Sequence, residues 1–577
     1  MSYNNTKLVA GLLGYALLAC SISGCSFDSF SKTATETSSE NSSSATEITY
    51  LNADDMFTDR DKEVGYDEDT ATAITLSDNA SSCDSSSVSI SDNTITITDE
   101  GTYLLTGSLS DGQVIVNAND KKVQLVLDSV DINCDTSAAL YVKAADKVFV
   151  TLASDSENTL SNTNDFVAID DNNIDAVIFS KDDLTLNGSG TLTVTAKYGH
   201  GIVSKDDLVI TSGTYQITAA KHALSGQDSV RIADGILTLN AGTDGIHSEN
   251  TDDDTKGFIY IANGDISITT DSDGFDAEET LQVDGGNIEV YAGDDGLHSD
   301  DDLIITAGTI NVTKSYEGLE GMTVTIEDGD ISVVSSDDGI NASGDGSSGD
   351  SSSDTKDSSA DNNSGDTNAN DSNTKGSNSN KKDYFTPPSG EDKKTPPNGN
   401  AGPGDGNGGP GGSNGGLGGG NGGPGGGIEE ATDYNLIQIS GGKIYINASG
   451  DGIDSNGNLT VTGGEIYVDG PTSGGDGALD CSGTALISGG TVIAVGSSGM
   501  SENFDSSSAQ GSIITTVSDS MITGDITLTD SDGNTIVSYS PSKEYSSIVI
   551  SCADLKEEKD YTLVAGDTNT SVSLDQK

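Results

Sequence analysis

A carboxylate stands directly before a glycine at Asp244, Asp273, Asp295, Glu317, Asp338, Asp451 and Asp476. A second acidic set follows a few residues on, at Asp276, Glu320, Asp454 and Asp480, and His247 and His298 take that place in other copies. Clustered oxygen donors beside glycine turns, whose carbonyls are open to a ligand, suit a hard cation such as Ca2+. The run from Asp451 to Asn458 is the densest. It is no EF-hand, because the closing glutamate and flanking helices of that motif are missing. Asp-Gly alone is ordinary turn chemistry, so it is the recurrence that argues for at least one metal site.

Other chemistry is weaker. The histidines His200, His222, His247 and His298 all fall at turns, without zinc spacing or a Ser/His/Asp order. His200 and His222, 22 residues apart, are placed to stack. A polysaccharide lyase would need a base beside a Ca2+-held uronate. Lys205, Lys221, Arg231 and Lys314 are the candidates, each also readable as a solvated charge. Tyr260, Tyr291 and Tyr316 could offer aromatic platforms to a sugar, as could Tyr445 and Tyr467, although strand packing explains most tyrosines of this kind. The absence of Trp weakens a case for stacking on crystalline cellulose.

What must position the carboxylates is a repeat. A small residue followed by an apolar one recurs at Gly201, Ala223, Gly245, Gly274, Gly296, Gly318 and Gly339, in steps of 22, 22, 29, 22, 22 and 21 residues. The long step carries the polar insertion Glu249 to Lys256, and the pattern resumes at Gly452, Gly477 and Gly499. Each copy reads as short alternating strands separated by turns, such as Leu303 to Thr306, Ala307-Gly308, then Thr309 to Thr313. The copies are too short for βαβ crossovers. The spacing predicts one coil of a parallel β-helix per copy, with equivalent residues stacked ~4.8 Å apart. Like charges that close raise each other's pKa or require a cation.

Composition agrees. The 577 residues carry 93 Asp and Glu against 26 Lys and Arg, a formal charge of −67. That excludes nucleic-acid phosphate as a main partner and electrostatic docking on an anionic membrane. It favours bound cations. Hydrophobic residues make up 33% of the chain, which fits thin repetitive β-structure better than one large core.

Residues 1–25 read as a lipoprotein signal: Lys7, the apolar run Leu8 to Ala19, then Ile22-Ser23-Gly24-Cys25, with Cys25 the lipidated residue. Residues 26–48 are a disordered stalk, 49–138 an N-terminal β cap and 139–343 the first part of the β-helix. Residues 344–427 are a disordered insertion rich in Ser, Asp, Gly and Pro, extruded from a single coil. The β-helix resumes over 428–511, and 512–577 form an antiparallel cap containing a hairpin about Asp530 to Asn534. Cys83, Cys134, Cys481 and Cys552 are too widely spaced to predict pairing and are expected as packed or free thiols.

Several strings resemble the clostridial carbohydrate-binding β-helix family, the cellulose- and acid-sugar-binding lipoproteins. They are Phe57 to Asp61 with Val64 to Asp67, Lys181 to Thr185, Gly201 to Leu208, Asp228 to Gly235, and Gly477 to Asp480 with Gly496 to Met500. The resemblance runs from about residue 50 to the C-terminus, apart from the insertion. It implies a right-handed parallel β-helix with bound Ca2+, related in fold to pectate lyases. It also implies binding to cellulose and pectic acid sugars without established catalysis. Cys481 stands where an aromatic is expected in the Gly-Ala-Leu-Asp motif.

The expectation is therefore an exported, lipid-anchored, monomeric surface protein that binds polysaccharide on a Ca2+-stabilised all-β solenoid of about 22 residues per coil. A calcium-dependent pectate-type lyase is the first alternative and a structural surface repeat or adhesin the second. Whether the chain is an enzyme is open, with binding favoured.

Overall fold

The computed structural model describes residues 48–344, 432, 434–557 and 559–574, all within the compact unit Thr46–Lys577. The signal segment with Cys25, the stalk and nearly all of the insertion lie outside the described residues.

Every described element is a strand except one 3-10 turn at Ala53–Asp55, and no described helix is long and apolar enough to cross a membrane. The repeat folds as a stack of coils, each giving one strand to each of three parallel ladders. One coil supplies His200–Ser204, Asp207–Ile210 and Thr214–Ala219; the next supplies Leu224–Gly226, Ser229–Ile232 and Ile236–Ala241. Their registers pair Ile202 with Leu224, Leu208 with Val230 and Tyr215 with Leu237. Alternation along each strand turns one face inward, and equivalent inward residues stack from coil to coil. In the first ladder these are Ile246, Phe275, Leu297, Leu319, Ile340 and Ile453, all buried in one continuous core. This is a long, mostly parallel sheet compatible with the expected β-helix.

Two glycine columns have different causes. Gly235, Gly264, Gly286, Gly308 and Gly329, which precede the third ladder, have φ between 96° and 144°, a region costly for other residues. The glycines used for alignment do not share it. A Cβ on Gly296 would lie 2.5 Å from the Gly318 carbonyl oxygen and 2.8 Å from the Val312 side chain. Close approach of successive coils, rather than turn geometry, fixes that small residue.

The coil interrupted by the insertion is continuous on both sides. Ile340–Ala342 continues the first ladder and Leu436–Ile439 the second, both against the strand Leu319–Ile326. Parallel pairing also reaches back to Thr72–Leu76, which aligns with Gly101–Leu109, inside the segment read as a cap. At the other end Ser547–Ser551 lies antiparallel between Thr491–Gly496 and Ser512–Thr516. Beyond it Ile526–Thr529, Thr535–Tyr539, Asp560–Ala565 and Thr568–Ser573 form a separate antiparallel sheet. Fully buried Asp469 joins this sheet to the coils, accepting hydrogen bonds from the hydroxyls of Tyr445 (2.9 Å), Tyr539 (2.7 Å) and Ser542 (2.6 Å). Cys83, Cys134, Cys481 and Cys552 are unpaired.

The segment Thr49 to Gly65 lies as a strap across the outer face of the second ladder. Its bonds go to Asp302 and Gln282 at one end and to Gln124 at the other. Asp61 anchors it, with Lys147 Nζ at 2.9 Å and a hydrogen bond from Thr185 Oγ1 at 2.7 Å. These partners outweigh burial and hold the Asp61 carboxyl down at about 2.

Candidate functional site

The aligned carboxylates form a column at the entry to the first ladder. Most accept a backbone N–H from the following coil: Asp273 N–H donates to Asp244 (3.3 Å), Asp295 N–H to Asp273 (2.7 Å), and Glu317 N–H to Asp295 (2.9 Å), whereas Glu317 accepts the Asn341 side-chain amide at 2.7 Å. Asp451 N–H donates likewise to Asp338 at 2.6 Å. The second set lies on the outward positions of the ladder itself, where the register runs His247, Asp276, His298, Glu320, Asn341, Asp454 and Asp480.

The two sets converge. Oxygens of Asp244, Asp273 and Asp276 lie within 4.8 Å of one another, as do those of Asp295, Glu317 and Glu320, and those of Asp338, Asp451 and Asp454. Asp480 continues the outward column beside Asp454. Asp476 does not join. In that coil the Gly477 N–H reaches Asp451, at 2.5 Å, while Asp476 accepts the Ser473 hydroxyl. The loop Pro471 to Gly475 shifts this turn by one residue, so Gly477 takes the column place.

Electrostatics divide the column. In the cluster of Asp244, Asp273 and Asp276 imidazoles compensate Asp244 and Asp276, while burial and those two acids push Asp273 up to about 7. Asp276 accepts from His247 Nδ1 at 2.8 Å and His298 Nδ1 at 3.1 Å. Burial pushes the Asp276 carboxyl up, but these two bonds outweigh it and hold it far below the carboxylate range. Burial likewise opposes protonation of His247 and His298, and their bonds to Asp276 raise both to about 10. Further along, no Lys, Arg or His pairs with Asp295, Glu317, Asp338 or Asp451 among the described residues. Burial and the neighbouring Glu320 push Asp295 up to about 9 and Glu317 to about 8. Burial chiefly, with adjacent acids, raises Asp451 to about 7 and Asp338 to about 6.

Beside these uncompensated acids Tyr291 and Tyr316 are each 47% exposed. Lys314 Nζ lies 4.8 Å from the Tyr291 ring centre. Tyr260 is no open platform: it is 2% exposed, its hydroxyl donates to Asp284, and Phe57 of the strap covers its ring. Of the basic candidates, Arg231 is closed in by an ion pair to Asp207 and a bond to the Met56 carbonyl beneath the strap.

Two groups had escaped the sequence reading. His222 belongs to the column: its Nδ1 takes the place of a carboxylate oxygen beneath the Asp244 N–H, at 3.3 Å. It precedes Ala223 in the repeat, which is the signal that could have placed it there. Asp183, Asp206 and Asp207 gather at the opposite edge of the first ladder, where burial and a bond shared with Asp228 raise Asp206 to about 7.

The site is thus a column of carboxylate clusters on a parallel coil stack, with two exposed tyrosines on the same coils. Residues 91–345 match the family model described as carbohydrate-binding domain-containing protein. A carbohydrate-binding domain-containing protein of Acetivibrio thermocellus is 38% identical over 135 residues, 23% of this chain. The match spans about half, 47%, of that relative's length. A solved structure of the polysaccharide lyase-like protein from C. thermocellum, a gadolinium derivative, is 33% identical, covers 41% of this chain and 97% of its own, and has a TM-score of 0.40. The family match and the Acetivibrio relative bear out the resemblance to a clostridial carbohydrate-binding family.

Proposed function

We propose that the chain is an exported carbohydrate-binding protein, anchored at the bacterial surface through a lipid on Cys25. Its ligand is cellulose or pectic acid sugar, bound on a right-handed, Ca2+-stabilised parallel β-helix. The observation that carries this reading is the pair of all-carboxylate clusters, Asp295/Glu317/Glu320 and Asp338/Asp451/Asp454, on a coil stack that also exposes Tyr291 and Tyr316.

Hard oxygen donors at this density fit Ca2+. Partial protonation or a cation must relieve their mutual repulsion, and at neutral pH the cation is the simpler remedy. A chain of charge −67 repels polygalacturonate. An ion held by the column with coordination positions left open would bridge to a uronate carboxylate, while the tyrosines contact the ring face. Of the candidate bases, Arg231 lies beneath the strap, and the binding reading assigns no lyase step. Pull-down on pectate and on cellulose, with Ca2+ and with EDTA, tests the reading. Calcium-dependent retention without unsaturated product supports it. Retention on pectate after complete calcium removal, with the fold intact, would sink the bridging mechanism, and unsaturated product would assign a lyase.

A further inference from the structure

The column changes donor chemistry along its length. Where the acidic clusters offer only oxygen, His222, Asp244 and His247 bring one donor atom each within 4.8 Å of one another. We propose that these three residues form a separate site for a borderline divalent transition-metal ion, of the Zn2+ class, beyond the Ca2+ sites argued above.

The distances fit. Asp244 Oδ2 lies 2.7 Å from His222 Nδ1 and 3.7 Å from His247 Nδ1. Donors around a tetrahedral ion with bonds of ~2.0–2.1 Å stand ~3.3 Å apart, between those two values. Imidazole nitrogen suits Zn2+, Cu2+ and Ni2+ and is a poor ligand for Ca2+. The His222 and His247 side chains are 19% and 17% exposed, so an ion can enter from solvent.

The preceding coils carry unsatisfied polar atoms of their own. The His200 ring stacks on His222 at 4.7 Å, and His200 is nine-tenths buried. Its Nδ1 has no hydrogen-bond partner, and neither has Asp175 Oδ1, although His200 Nε2 lies 3.7 Å from Asp175 Oδ2. Two buried polar atoms one coil away are thus left unsatisfied, which is costly without a further ligand or water.

Binding requires two adjustments: His222 Nδ1 must give up the Asp244 N–H it accepts, and the imidazole stack must open. His222 and His247 stack at 4.3 Å with planes 6° apart, so their nitrogen lone pairs run side by side. His247 must tilt out of the stack, exchanging its bond to Asp276 for the ion, and the proton it shares with Asp276 is released.

The test is calorimetric titration of Zn2+ alone into the chelator-stripped chain, in saturating Ca2+. One tight equivalent is expected. His222→Gln and His247→Gln should each weaken it by at least about a hundredfold, more than loss of an outer-shell partner costs, and Glu317→Gln should leave it unchanged. Complete loss of Zn2+ uptake in Ca2+, uptake indifferent to His222→Gln, or equal loss in Glu317→Gln would overturn the site. The electron paramagnetic resonance spectrum of Cu2+ on the unaltered chain avoids dependence on a variant's folding. Nitrogen superhyperfine splitting is expected, and a spectrum of oxygen ligation alone would also overturn the site. The calcium reading fails independently, if Ca2+ does not bind while Zn2+ still does.

Discussion

Two stretches of one column solve the same electrostatic problem differently. Around Asp276 the acids meet His247 and His298, which hold Asp276 ionised, while burial and its acidic neighbours still push Asp273 up to about 7. Further along, Asp295, Glu317, Asp338 and Asp451 have no basic partner among the described residues, only Glu320 reaching His298 at 3.9 Å, and the pKa values of those four rise to between about 6 and about 9. Identical ladder geometry thus yields a half with imidazoles set among its acids and a half built almost wholly of carboxylates, left dependent on protons or a cation. Side-chain choice at a stacked position, not the fold, decides which.

The largest expected contrast is in metal removal. At a thousandfold excess of Ca2+ over Kd, each occupied site adds about 4 kcal/mol of stability, so chelation should lower the melting temperature markedly. The pH dependence of the metal-free chain carries its own sign. The acids from Asp295 to Asp451 titrate higher in the folded state than the ordinary carboxylate range. The folded chain therefore binds more protons across the interval between. Stability should be greatest near pH 4 and fall as pH rises through about 6 to 9. Saturating Ca2+ should flatten that slope. Melting curves across pH, with and without EDTA, check both points, and a metal-free chain that gains stability toward pH 9 would break the contrast.

Single substitutions should then act with opposite signs in the two halves. Asp276→Asn leaves His247 and His298 without their anion, and loss of one partner in a buried pair costs about 3–5 kcal/mol. Glu317→Gln removes one of several like charges. It should stabilise the metal-free chain by roughly 1 kcal/mol, the equivalent of a single pKa unit, while weakening Ca2+ binding. Denaturant unfolding of both variants in EDTA distinguishes them, and destabilisation by both would erase the difference between the halves.

The smallest effect concerns the ligand. Tyr291→Ala and Tyr316→Ala should each reduce glycan affinity about tenfold, ~1.4 kcal/mol, with little change in melting temperature. Tyr260→Ala should instead destabilise the chain, because its ring is buried against Phe57. Affinity electrophoresis in pectate, paired with melting curves, separates the two outcomes.

Much of this was legible in the repeat. A period near 22 places Asp244, Asp273, Asp295, Glu317, Asp338 and Asp451 at one recurring position, and stacking follows from parallel pairing. What escaped was nonlocal or a matter of offset. Nothing near Tyr260 in the chain announces that residues 49 to 65 will cover it. The one-residue shift at Asp476 arises from the conformation of its preceding loop, which spacing alone does not reveal. The aligned glycines were read as turn residues, whereas the constraint on Gly296 is the carbonyl of the next coil. His222 was readable from its position but was hidden by a search for acids.

The most direct test is calorimetric Ca2+ titration of the intact chain against the double variant Glu317→Gln/Asp451→Asn, which alters both uncompensated clusters. The expected result is Ca2+ uptake by the unaltered chain and loss of the sites built on those two clusters in the variant, with the fold retained. Equal Ca2+ uptake by the two proteins would contradict the claim that the uncompensated half of the column holds the ion.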